Sequence, residues 1–287
     1  MIDNALHIWD IAPTHGNNTH KMRTKALIIA AAGLCVSLLQ SNAQTPVYSQ
    51  NIVGYYNTVI PSGSFELVAN QLINGSDANA TNNSINSIFN GLVSDPNGNN
   101  NSTLYLWNGN GYAIYQYFTA SDADSWFGAD SGNGFYDSIG DFITASLPQG
   151  SGSFLYNPSG NAITNTTVGS VVQGTNVLTI TTGFNIYSFI QPVSGGVAST
   201  NSFASFPGTS DPDANNNDVL YLWNGNGYAV YQYFTAADAD SWFGADSGNG
   251  FYDSIGDYVT ANVPVGQAFF IDHLTAPVTW TTSLTVQ

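Results

Sequence analysis

After residue 44 the chain runs through short stretches in which apolar and polar positions alternate, separated by Gly, Asn, Pro and Ser. Thr103-Leu104-Tyr105-Leu106-Trp107 sets its side chains on two faces, the period-two pattern of a strand. Asn108-Gly109-Asn110-Gly111 supplies residues that tolerate positive φ in a hairpin turn, and Tyr112–Phe118 returns as a second strand. Phe142–Ala145, Ser153–Tyr156, Val168–Val172, Asn176–Ile180 and Phe184–Ile190 read as further strands, with a turn at Pro148-x-Gly150. Ser84–Asn90, stopped by Gly91, predicts one helical turn. The pattern predicts an all-β chain of sandwich or jelly-roll kind.

The pattern occurs twice. Tyr105–Asn157 and Tyr221–His273 align at an offset of 116 residues with 40 of 53 positions identical. Asp122–Asp141 matches Asp238–Asp257 throughout, and Ser94-Asp95-Pro96 matches Ser210-Asp211-Pro212. Weaker matches outward place two tandem β repeat units at 44–173 and 174–287. The centre is identical while the flanks differ, which fits either constraint on the centre or recent recopying of its DNA.

The start of the chain has another character. Lys21, Arg23 and Lys25 precede the apolar run Ala26–Leu39, and Ser41-Asn42-Ala43 places small residues where a signal peptidase reads. Residues 22–43 therefore read as a cleaved signal peptide, with Met22 as the start and 1–21 as an upstream extension. The apolar run is shorter than the ~20 residues a bilayer core needs. Leu34 before Cys35 is not the small residue a lipobox requires. The expectation is a secreted or cell-surface protein without membrane insertion once the signal peptide is removed.

Composition then removes several functions. Beyond the leader the sequence has no Lys, Arg or Cys and one histidine, His273, and the net charge of the whole chain is −16. Disulfides and thiol chemistry are excluded, and so are Schiff bases and Lys–Asn crosslinks. Nucleic acid is excluded as a partner, because phosphate binding runs on Lys and Arg. Clustered carboxylates without a protein cation repel one another unless an outside cation joins them.

Gly183-Phe184-Asn185-Ile186, Leu220-Tyr221-Leu222-Trp223-Asn224-Gly225 with Gly227-Tyr228, and Val263-Pro264-x-Gly266-x-x-Phe269-Phe270 form a series along the unit. It resembles uncharacterised secreted β-rich repeat proteins of environmental Gram-negative bacteria. It is also similar to surface modules with a GFNL…Y-x-WNG-x-GY…P-x-G-x-GFF pattern. The resemblance spans most of the chain after the leader. It implies a β-sandwich module and supplies no activity and no catalytic residues. The long acidic loop between the Gly-Tyr strand and the Pro-x-Gly turn departs from that pattern.

Three clusters are candidate sites. Asp211, Asp213, Asn215, Asn217 and Asp218 present oxygens at alternate positions of a tight loop, a donor set suited to Ca²⁺. The alternative there is a solvated Asn-rich turn. The acidic loop adds Asp122, Asp124, Asp130 and Asp137 in the first unit and Asp238, Asp240, Asp246 and Asp253 in the second. These are metal ligands on one reading and a solubilising loop on the other. Trp126, Tyr136, Trp242 and Tyr252 sit among those carboxylates and suit a glycan, ring against sugar face and carboxylate to hydroxyl. The alternative is that these rings plug the core. For catalysis a Ser-His-Asp triad has only His273, whose counterpart is Asn157, and a structural histidine is the simpler reading.

The sequence thus predicts a non-enzymatic, Ca²⁺-stabilised β-repeat protein that binds an extracellular glycan, a matrix polymer or a second molecule of itself. The alternatives are a structural surface-layer or filament component and a polysaccharide-acting enzyme using Asp carboxylates.

Overall fold

The computed structural model describes residues 52–74, 83–128, 132–195, 206–244 and 248–284. The expected upstream extension and signal peptide, with Asp130 and Asp246, lie outside them. The chain is mostly β, and its sheets are antiparallel. In the first unit β1 (Ile52–Ile60) pairs along its whole length with β7 (Ile163–Val171). The remaining strands are β2 (Ser64–Asn70), β3 (Thr103–Trp107), β4 (Tyr112–Phe118), β5 (Gly134–Tyr136) and β6 (Ser151–Asn157), in the sheet order β2-β6-β3-β4-β5. The second unit holds β8 (Gly174–Ile180), β9 (Gly183–Tyr187), β10 (Val219–Trp223), β11 (Tyr228–Phe234), β12 (Gly250–Tyr252), β13 (Phe269–His273) and β14 (Val278–Leu284). β14 pairs with β8, and the larger sheet runs β9-β13-β10-β11-β12, the order of the first.

The β3–β4 and β10–β11 hairpins form where period two and the Asn-Gly-Asn-Gly turns require them. The helical turn is present as α1 (Ile85–Ile88), with the Ser84 side chain accepting from Asn86 N–H. Two expectations need correction. The acidic stretch is not loop throughout: Ala120–Phe127 (α2) and Ala236–Phe243 (α3) are helices. Phe142–Ala145 keeps only a bridge from Phe142 to Tyr136, because the Asn86 side-chain amide takes the Ile143 carbonyl at 2.6 Å.

Each unit has its own core. Ile60, Val68, Leu104, Phe135 and Leu155 centre the first, and Ile180, Phe206, Leu220, Phe251, Phe269 and Trp280 the second. A third cluster joins them: Leu67, Ala69 and Phe154 of the first unit pack with Ile186, Ala268 and Phe270 of the second. Burying rings of this size stabilises by about 1.5–3 kcal/mol each. The backbone crosses the same junction, with Ala69 N–H donating to Gly266 O at 2.9 Å and Ser188 N–H to Gly150 O at 2.8 Å. Both units lie within one compact body, Asn51–Gln287.

Candidate functional site

The two helices carry the site. Thr119 and Thr235 are N-caps, and each accepts a hydrogen bond from the N–H of Asp122 or Asp238 at 3.3 Å. In return each threonine hydroxyl donates to that aspartate, at 2.8 and 2.7 Å. Ser94 and Ser210 add their hydroxyls to the same carboxylates and accept the Thr119 and Thr235 N–H at 3.0 Å. Asp122 and Asp238, expected as metal ligands, are thus committed to a cap at the positive end of a helix. Asp124 and Asp240 are exposed on the helices. Gly128 and Gly244 end them in the left-handed conformation at φ 69° and 68°.

Neighbouring residues on a helix point about 100° apart, which separates the two rings at its end. Phe127 and Phe243 turn inward and stack on Tyr136 and Tyr252, with centroids 5.7 and 5.8 Å apart. Trp126 and Trp242 turn outward and stay 53% and 52% exposed. The tyrosines do not share that exposure. Both are buried, and their hydroxyls donate to Gly132 O at 2.7 Å and Gly248 O at 2.6 Å. They hold the helices to the sheets, which corrects the expectation that they form a sugar-stacking surface. Gly140 and Gly256 pass against Phe127 and Phe243 so closely that a Cβ would approach within 2.4 and 2.2 Å.

The Asp211 loop is built by its own hydrogen bonds. Asp211 accepts from Asp213 N–H at 2.9 Å and from the Asn216 amide at 2.8 Å, which hold its carboxyl below the usual carboxylate range. The Asn217 side-chain oxygen accepts Asp211 N–H at 2.6 Å. Asp95 repeats the arrangement with Asn97, Asn100 and Asn101, and its carboxyl is lowered in the same way. Ala214 is held at φ 55°, a conformation that Gly98 takes in the first unit at 67°. Asp137 and Asp253 likewise close short turns, each accepting two backbone N–H groups at 2.9–3.0 Å. Asp211, Asp137 and Asp253 are thus each hydrogen-bonded by backbone amides of their own turns.

Asp218 departs furthest from expectation. It points inward with no exposed surface and meets His273 Nδ1 at 2.9 Å and Leu274 N–H at 3.2 Å through one oxygen, and Thr209 N–H at 2.7 Å through the other. It supports the core beneath the loop and adds no donor to the loop's outer surface. His273 Nε2 faces the Ala276 carbonyl at 2.9 Å, so both ring nitrogens face oxygen acceptors.

Around Trp242 these parts enclose a groove of about 490 Å³. Asp213 and Asn215 line it together with Gln232, Asp253 and Ser254, and Tyr252 bounds it from within. Three sequence clusters thus meet in one place. Gln232 and Val230, exposed on β11, were missed; their alternation along the strand was the available signal. In the first unit Trp126 lies over Gly98, as close as 3.3 Å to where a Cβ would stand. Among the described residues no three His, Cys, Asp or Glu side chains gather around one point. Compared with protein-family models, curated proteins and solved structures, the chain matches none.

Proposed function

We propose that this is a secreted or cell-surface, non-enzymatic protein of two sandwich-like β units that binds an extracellular glycan or matrix polymer through its tryptophan-capped helices. The observation that carries the reading is the half-exposed Trp242 beside Asp213, Asn215, Gln232 and Asp253 in one groove. An indole face takes the apolar face of a sugar ring, while carboxylate and amide groups take its hydroxyls. Trp126 stands on a helix that differs from that of Trp242 only at Ser121, where the second unit has Ala237, so the chain carries two such elements and gains avidity on a polymer whose repeat spans them. The same rim is where this reading places Ca²⁺, with Asp213, Asn215 and Asp253 as oxygen donors. His273 is buried and held by Asp218 and the Ala276 carbonyl, away from the groove. Affinity electrophoresis through gels containing single polysaccharides tests the reading. Retardation by at least one neutral or acidic polysaccharide supports it, and migration unchanged across the panel rejects it.

A second reading, assembly between molecules, is favoured by the outer face of β1, where Val53 and Tyr55 are 70% and 74% exposed. Sedimentation of the wild type and Tyr55→Asp decides it, since assembly through this face requires the variant to be the smaller species.

A further inference from the structure

A second cavity, of about 420 Å³, lies at the junction of the two units and away from the tryptophan-capped helices. Its lining includes Trp107, Ser146 and Ser151 of the first unit with Thr179, Thr181 and Asn185 of the second, and no charged side chain.

Strand register shows what Trp107 presents there. The β3–β4 turn is closed by Asn108 N–H to Gly111 O at 3.0 Å. Trp107 and Tyr112, one step further, are therefore a non-hydrogen-bonded pair, and the Trp107 carbonyl points away from β4. On its other side β3 is paired with β6 through Tyr105 and Phe154, and that pairing stops short of Trp107. The carbonyl thus faces past the end of the ladder, toward the cavity.

The second unit shows which group such a carbonyl takes. Gln267 occupies the position of Ser151, and its side-chain amide donates to the carbonyl of Trp223, the counterpart of Trp107, at 2.9 Å. Ser151 is too short to do this, and its hydroxyl donates instead to Pro148 O at 2.5 Å. The other side of the cleft differs as well. By register Asn185 stands where the first unit has Glu66, so only the open cleft combines a small residue at 151 with an uncharged amide opposite.

We infer that this inter-unit cleft binds a neutral saccharide bearing an acetamido group, whose N–H takes the place of the Gln267 amide at the Trp107 carbonyl. The remaining hydroxyls meet Ser146, Thr179, Thr181 and Asn185. A charged ligand would find no counter-charge among the lining residues, and burying an unpaired charge is costly. The cleft does not depend on the Trp126 and Trp242 elements, so either assignment can fail alone.

The test uses the full chain carrying Trp126→Ala and Trp242→Ala, titrated with the disaccharide of N-acetylglucosamine and followed by ¹⁵N–¹H amide shifts. One site is expected, with shifts at Trp107 and Asn185. Ser151→Gln, which copies the second unit's occupant, should weaken binding at least about tenfold, while Ser151→Ala should stay within about threefold of Ser151. Cellobiose, which lacks the acetamido group, should bind about tenfold more weakly than the acetamido sugar. No shift at millimolar sugar, equal binding by a correctly folded Ser151→Gln variant, equal binding of cellobiose, or capture of a Gln-bearing peptide in place of the sugar would each overturn the assignment.

Discussion

The indole N–H of Trp107 donates to the carbonyl of Phe184 in the other unit at 2.9 Å, and the indole of Trp223 donates to Phe65 O at 3.1 Å. Phe65 and Phe184 hold equivalent places, since they pair with Tyr156 and Asp272, which are themselves 116 residues apart. The duplication has thus produced an exchange of like contacts about a pseudo-twofold arrangement. Close to its centre Gly152 faces Ala268, where a Cβ on the glycine would come within 2.3 Å of the alanine methyl.

That approach makes the junction sensitive to volume. Gly152→Val should destabilise by about 1–3 kcal/mol through overpacking. Gly160→Ala, in open space on the same unit, should change stability by less than about 0.5 kcal/mol. Urea denaturation followed by tryptophan fluorescence checks both, and a single transition is expected, because the units share a core cluster. Two resolved transitions would show that the junction does not couple them.

The Asp218–His273 pair replaces Ser102 and Asn157 of the first unit, where Asn157 donates to Ile60 O, Pro61 O and Asn161 O at 2.8–3.1 Å. His273→Asn alone takes the side-chain partner from a buried carboxylate that keeps the Leu274 and Thr209 N–H groups, and should cost about 3–5 kcal/mol. Adding Asp218→Ser recreates the first unit's solution and should restore more than half of the loss. The same urea experiment reads this, and a double variant no better than the single one would contradict the structural role given to the pair.

Much of this was legible in advance, for reasons that can be named. The hairpins could be read because a period-two run and an Asn-Gly turn are local signals that nothing long-range overrides. The helices α2 and α3 were masked by the acidic run they lie in. The Thr-x-x-Asp cap and the following glycine were present, but Asp122 and Asp238 drew attention as charges instead of caps. The partners of the other carboxylates were hidden because backbone N–H groups are absent from any count of charged residues. The junction was not legible, because its contacts join positions 77 and 158 residues apart. The exposure of Trp126 and Trp242 was not legible, because nothing local distinguishes them from Tyr136 and Tyr252, which are buried.

Glu66 on β2 is the one glutamate after the leader, and burial pushes its carboxyl up to about 7, against a small opposing pull from Leu67 N–H. The folded state therefore holds the proton more tightly than the unfolded chain. Its contribution is fully present below the unfolded value of 4.5 and is lost as pH rises through about 7. Glu66→Gln should leave stability unchanged near pH 4 and raise it near pH 8, by about 1–2 kcal/mol once water's access to the carboxyl is discounted. Thermal melts at the two pH values check this, and an equal shift at both would contradict it.

The calcium assignment at the Asp213 and Asp253 rim is checked by melting the protein in Ca²⁺ and in EDTA. A ligand that binds only the folded state must raise the melting temperature, by an amount set by concentration over Kd. A shift that Asp213→Asn reduces is expected, and identical curves would remove calcium from the account.

The central claim rests on two tryptophans, and one measurement reaches it most directly. A polysaccharide that retards the wild type is titrated calorimetrically against the protein, Trp126→Ala, Trp242→Ala and the double variant, with Ser151→Gln present throughout so that the inter-unit cleft does not contribute. Each single variant should lose one of two sites, and the double variant should show no binding heat while melting within a few degrees of its parent. Full binding by the double variant would contradict the account.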